Sequence, residues 1–385
     1  MISAWLTVAL LGFQQGATVA VDSVATLRRA VAHAKPGSTI LIAPGTYDGG
    51  ISLANVHGAA GKPILIAGKD PANPPRFTGG GTGLHLSKVS HFELRDLKIE
   101  ACSFNGVNID DGGDIDNPSH HIRLTRINVS DLPKGNHDGI KLSGVDDFVV
   151  DACSIQRWGG SAIDMVGCHR GVVSNCTFRE GGDNAVQAKG GSSDIRVLKS
   201  SFVDAGQRGV NLGGSTGSAY FRPALTAMGS AKYEAKDISV EGCTFVRGGA
   251  PIAFVGVDGA TVRLNTFVDP GRWVFRILQE TREPGFVPCR NGDFADNLIV
   301  FSTSDWSSGG VNVGSGTKPE SFKFARNFWF CKDRPERSKP SLPMAEVGGT
   351  YGIDPKVTLT QDRRVLVEKG SPAAKVGAHA YPGSQ

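Results

Sequence analysis

Long apolar runs are missing from this sequence. Beyond the first twenty residues no stretch approaches the roughly 20 apolar residues that a membrane-crossing helix requires, so no membrane span is expected. Basic runs interleaved with aromatics are also missing. The formal charge of +4 is far from the Lys/Arg density of a dedicated nucleic-acid binder, and no nucleic-acid partner is expected. Aromatic platforms are scarce, with five Trp and five Tyr, which disfavours a module that binds sugars by stacking alone. An even cysteine count is lacking too: seven thiols cannot complete a disulfide framework. No stretch reads as a linker, so repeats, not length, decide the domain count.

Glycine, by contrast, is abundant. Its 51 residues point to many turns and close backbone approaches. Two phrases recur between them. One ends in a small residue before an aromatic: SNCTF (174–178), LKSSF (198–202), EGCTF (241–245) and RLNTF (263–267). The other is DGIKLSG, SAIDMVG, NAVQAKG and RGVNLGG, starting at residues 138, 161, 184 and 208. That spacing of about 23 residues is one coil of a solenoid of short strands. Parallel strands joined by Gly, Asn and Asp turns give an all-β, single-stranded right-handed parallel β-helix, not βαβ units.

Within each second phrase the third and fifth residues are apolar and the fourth is polar. Ile140 and Leu142, Ile163 and Met165, Val186 and Ala188, and Val210 and Leu212 are predicted to point inward, leaving Lys141, Asp164, Gln187 and Asn211 stacked outside. Cys102, Cys153, Cys176 and Cys243 share one slot of the first phrase and read as an inward stack of small hydrophobes. Cys289 and Cys331 fall outside it and are open to pairing. One helix is predicted, Ser23 to Lys35, with Val24, Leu27, Ala30 and Val31 at helical spacing; it would cap the N-terminal end.

Residues 1–20 hold a short apolar stretch from Ala4 to Phe13 and end in Ala17-Thr18-Val19-Ala20. This is the layout of a signal peptide cut after Ala20, although its n-region lacks Lys or Arg. A secreted or periplasmic protein is expected, with one β-helix domain over 21–385 and a monomer as the default state. The period breaks twice: at the insertion 215–236, a candidate groove wall, and from about residue 284, where the coils read as irregular. The tail after Pro335, with a strand from Arg364 to Val367, is expected to cover the C-terminal end.

The outer face collects Asp138, Lys141, Asp164, Asp183, Gln187, Lys189, Arg208 and Asn211, with Arg276 in the Asn211 slot and Tyr220 and Arg222 reaching over from the insertion. Any one of these is ordinarily just a solvated side chain. Together, beside the Gly190-Gly191 and Gly213-Gly214 turns, they read as a patch for an anionic polysaccharide. His137 and His169 read as turn residues, and His120-His121 shows no Cys or Asp partner at zinc-ligand spacing, so no zinc site is assigned.

The segments AVAHAKPGSTILIAPGTY and GAAGKPILIAG, with the coils to Phe267, resemble the pectin-lyase-like parallel β-helix proteins over roughly two-thirds of the chain, most nearly the chondroitinase B and alginate lyase group. The resemblance implies a lyase with a lysine base and an assisting arginine one coil later, near calcium held by acidic groups and an asparagine. Lys189 matches the lysine's setting. No arginine stands near Leu212-Gly213, where Arg208 is the nearest substitute, and the calcium-ligand places hold Gly182 and Asn184, so calcium stays an open cofactor.

The chemistry implied is β-elimination from a uronate, with Lys189 and Arg208 catalytic and Lys141, Asp164, Gln187, Asn211, Tyr220, Arg222 and Arg276 binding substrate. A polygalacturonase-like hydrolase remains open, because Asn136-His137-Asp138 resembles an Asn-Thr-Asp phrase, with Asp138, Asp164 or Asp183 as acids; the second acid pair it needs reads Gly160-Ser161. C5-epimerisation, which shares the proton abstraction, and a non-catalytic carbohydrate-binding β-helix complete the alternatives.

Overall fold

A computed structural model describes residues 16–304, 306 and 308–383. The chain winds into a solenoid of parallel strands. One face is a ten-stranded parallel sheet containing, in order, Ile51–Ala54, Leu84–Ser87, Val107–Asp110, Ile140–Ser143, Ser161–Val166, Asn184–Lys189, Arg208–Gly213, Ala250–Val255, Phe275–Leu278 and Val311–Val313. Each strand pairs in register with its counterpart one coil on, as Ile140 with Ile163 and Ile163 with Val186. The other faces form a second continuous parallel sheet.

The period-two pattern positions the core. Ile140, Leu142, Ile163, Met165, Val186, Ala188, Val210 and Leu212 are all buried, and each of them except the smaller Ala188 contributes about 1.5–3 kcal/mol. The aromatic of the first phrase forms a column: Phe178, Phe202, Phe245, Phe267 and Phe294 stack at centroid distances of 4.8, 4.3, 5.0 and 5.9 Å. All seven cysteines are buried and free, including Cys289 and Cys331, which do not pair. The cysteine slot continues as a buried asparagine ladder. The Asn265 N–H donates to Asn297 Oδ1 and the Asn297 N–H to Asn327 Oδ1, both at 2.9 Å. Each amide satisfies a backbone group that the corner leaves unpaired.

The helix spans Val24–Ala32, with Ser23 as its N-cap in a reciprocal capping box with Thr26 and with Leu27 and Val31 buried. The first strand, Thr18–Val21, pairs with Thr39–Ile42. A cut after Ala20 would remove three of its four residues, while the apolar stretch expected to lead export, Ala4 to Phe13, lies outside the described residues. Among the described residues no helix is long and apolar enough to cross a membrane.

One C-terminal expectation, that of the tail, changes. The parallel register continues past residue 284 through Arg290–Ala295, Leu298–Phe301, Lys323–Ala325 and Phe328–Cys331, because longer loops lengthen the period without disturbing the strands. The tail does not simply cover the end. Its antiparallel hairpin, Val357–Leu359 with Val365–Val367, packs on the flank against Val203, Val246 and Val268. The chain then runs back until Lys199 donates to the Gly383 carbonyl at 3.4 Å.

Candidate active-site groove

Outward residues of the ten-stranded sheet form the floor of a cleft of about 740 Å³. One outward row, fixed by strand register, is His85, Asn108, Lys141, Asp164, Gln187 and Asn211, of which His85, Asn108 and Lys141 line the cleft. Arg276 lies on the same row two coils beyond Asn211, with Ala253 between. A second row carries Ser87, Asp110, Ser143, Val166 and Lys189.

At the centre, the amino groups of two lysines converge on one buried carboxylate. Lys141 donates to Asp164 Oδ2, and Lys189 Nζ lies 3.6 Å from Asp164 Oδ1. Lys141 also donates to Asp138 Oδ2 at 3.2 Å, while Asp138 Oδ1 accepts the Ser161 N–H at 2.7 Å. Burial, and then the Asp164 charge, pushes the Asp138 carboxyl above the usual carboxylate range. Burial opposes charge on Lys141, but the Asp164 and Asp138 carboxylates outweigh it and raise its pKa. Lys141 is therefore a fixed cation. Lys189 makes no hydrogen bond through its ammonium among the described residues and is about one-fifth exposed to the cleft.

The insertion forms a wall. Arg222, which is buried, donates to Asp111 from Nε at 2.5 Å and from Nη2 at 2.9 Å, and its Nη1 donates to the Tyr220 carbonyl. The pair needs glycine in the two turns beneath it: a Cβ at Gly144 would lie 2.2 Å from Asp111 Oδ2, and one at Gly167 within 2.5 Å of Arg222 Cβ, and both residues have positive φ. Glu234 ties down the loop base by accepting from the Gly190 and Thr216 N–H groups and from Thr281 Oγ1. Tyr220 remains exposed at the rim.

Some expected site residues are not brought together. Arg208 pairs across the sheet with Asn184, the first residue of the strand that ends in Lys189, so it lies roughly 16 Å along the strand from that lysine. Its guanidinium is engaged by Glu280 at 2.7 Å and Asn211 at 3.1 Å. The arginine near Lys189 is Arg222. Asp183 belongs to a separate cleft with Trp158, Gly182 and Gln207.

Sequence reading missed His85, Asn108, Asp110 and Asp111, which come from coils whose strands are copies too divergent for the phrase to find. His85 Nε2 is 2.6 Å from Asp110 Oδ2, and Ser87, Asn108 and the Gly112 N–H also bond that carboxylate. Burial works to raise the Asp110 carboxyl, but the bonds from Ser87, His85 and Gly112 hold it below the usual range.

The groove does not suit calcium. Asp138 and Asp164 hold Lys141, Asp110 holds His85 and its neighbours, and Asp111 holds Arg222. A hard cation needs about six to eight free oxygen donors, and these oxygens already serve cationic or N–H groups.

The family model described as "Right handed beta helix region" matches residues 80–271. The chain has the fold of a right-handed parallel β-helix. It is similar to the crystal structure of an alginate lyase from a Paenibacillus species at 18% identity and TM-score 0.51, over 88% of this chain and 99% of that one. It is similar to the A-module of the Azotobacter vinelandii mannuronan C-5 epimerase at 14% identity and TM-score 0.50, over 86% and 91%. A lacto-N-biosidase from Eubacterium ramulus matches at 13% identity and TM-score 0.56, over 87% and 66%. These likenesses are of fold. No curated protein matches the sequence.

Proposed function

We propose that this protein is a polysaccharide-active enzyme, a lyase that cleaves an anionic, uronate-containing chain by β-elimination. The observation that carries this reading is the convergence of Lys141 and Lys189 on the two oxygens of Asp164 at the floor of an open cleft. A uronate carboxylate above Lys141 meets a cation whose charge Asp138 and Asp164 maintain, which stabilises the negative charge that grows as the neighbouring C–H bond breaks. The lone pair of Lys189 Nζ takes the proton; the electron pair forms the alkene, the bond to the leaving glycosidic oxygen breaks, and that oxygen takes up a proton from solvent water. The lyase and epimerase names among the fold neighbours agree with chemistry that begins by removing this proton.

A hydrolase built on Asp138 and Asp164 ranks second, because Asp138 has the raised carboxyl of a general acid. Both carboxylates are committed to Lys141, however, and both are almost fully buried. The deciding experiment follows absorbance at about 235 nm, where the product alkene absorbs, during incubation with alginate, pectate and chondroitin. A rise that Lys189→Ala abolishes supports the lyase. New reducing ends without absorbance assign the hydrolase, and inverted C5 configuration without cleavage assigns the epimerase.

A further inference from the structure

Away from the groove, one solenoid corner gathers three imidazoles from two successive coils. His91 comes from the strand Ser90–Glu100, and His120 and His121 from Ser119–Ser130. Register places His120 beside Ser90, and hence His121 beside His91. Both His91 and His121 occupy the left-handed region, at φ 46° and 56°, an uncommon conformation for histidine. The same corner holds Asp147, Arg170 and Asp194 in later coils, also with positive φ. The corner thus aims successive side chains outward in a column.

The rings are close. Centroids are 4.4 Å apart for His91 and His121, 5.3 Å for His91 and His120, and 5.0 Å for His120 and His121. One nitrogen from each ring lies within 4.8 Å of the others, and Nδ1 of His120 is 2.8 Å from Nδ1 of His121. Two nitrogens on a tetrahedral zinc stand about 3.3 Å apart, so only a few tenths of an ångström separate this contact from a chelating one. His91 and His120 are half-buried.

From this geometry we infer that His91, His120 and His121 form a binding site for a first-row divalent transition metal such as zinc. The donors are all imidazole nitrogens, which suit zinc, cobalt, nickel or copper and not calcium or magnesium. The nearby carboxylates do not compete: Asp146 holds His169 and Arg170, and Asp147 holds Arg170. His57, on the preceding coil and bonded to Ser90 Oγ at 3.0 Å, stands beside the cluster. His121 is exposed, so the cluster is open to solvent on that side. A bound ion ties two coils together at a corner that strand hydrogen bonds leave open, so its binding adds to the stability of the fold.

The test uses the full, untagged chain stripped with chelator. Zinc is titrated calorimetrically, and cobalt by the visible absorption that an imidazole-ligated ion acquires. One ion should bind per chain and raise Tm, and His91→Asn and His121→Asn should each weaken binding by more than about tenfold. Asparagine tolerates the left-handed backbone, so both variants should keep the wild-type Tm in chelator. His33→Asn, at the C-cap of the helix and outside the cluster, should bind as wild type does. Absence of stoichiometric binding, or binding that survives both corner substitutions, overturns the site.

Discussion

Arg222 and Asp111, 111 residues apart in sequence, form a buried bidentate pair that clamps the inserted loop to the solenoid. Arg222→Ala leaves Asp111 as an unpaired buried charge and should cost about 3–5 kcal/mol. Replacing both partners with apolar residues should cost clearly less. Thermal unfolding of the single and double variants measures this, and proteolysis within 215–235 should accelerate in the single variant.

Lys189 faces the cleft while Lys141 is locked between two carboxylates. If Lys189 is the base, Lys189→Ala should lower kcat by about 10²- to 10⁴-fold with polymer affinity largely retained. Lys141→Ala should lower both kcat and stability, because it strands Asp138 and Asp164 together. Steady-state kinetics beside a binding isotherm separate the two effects.

Arg208 sits at the far end of the strand row from Lys189 and is held by Glu280. Its loss should act on substrate positioning. Arg208→Ala is expected to raise KM several-fold with kcat nearly unchanged, and an equal fall in kcat and kcat/KM would instead place it at the reacting atoms.

Two carboxylates should give opposite pH dependences. The lowered Asp110 binds its proton less readily folded than unfolded, so its stabilisation is present above the unfolded value of about 3.9 and is lost as pH falls through the folded value. The raised Asp138 behaves inversely, and stability declines as pH rises from about 3.9 through its folded value. In Tm-versus-pH profiles, Asp110→Asn should lose the acid-side decline due to that group, and Asp138→Asn should flatten the fall on the way to neutrality.

The C-terminal hairpin covers Val203, Val246 and Val268 on the flank of the coils. Ending the chain before Val357 exposes these side chains and should destabilise the protein by about 2–5 kcal/mol. Binding of an apolar dye at native temperature and a lower Tm would register the loss.

Much of the fold was legible because a solenoid repeats its local rules. The 23-residue phrase spacing, the inward pairs such as Ile140 and Leu142, and the Ser23 cap are short-range features, and the structure keeps them. Register then follows from stacking like on like, which is why Lys141, Asp164, Gln187 and Asn211 fall into one row.

Contacts between unlike segments were not legible. His85 and Asp110 join the groove from coils that lack the phrase, Arg222 finds Asp111 through a loop of no regular period, and the tail doubles back along the flank. His91 meets His120 and His121 only because a corner aligns adjacent coils. Periodicity in sequence therefore determined the coil and the direction of its side chains. The closing of loops and corners over that coil, set by long-range packing and charge pairing, was decided by tertiary structure alone.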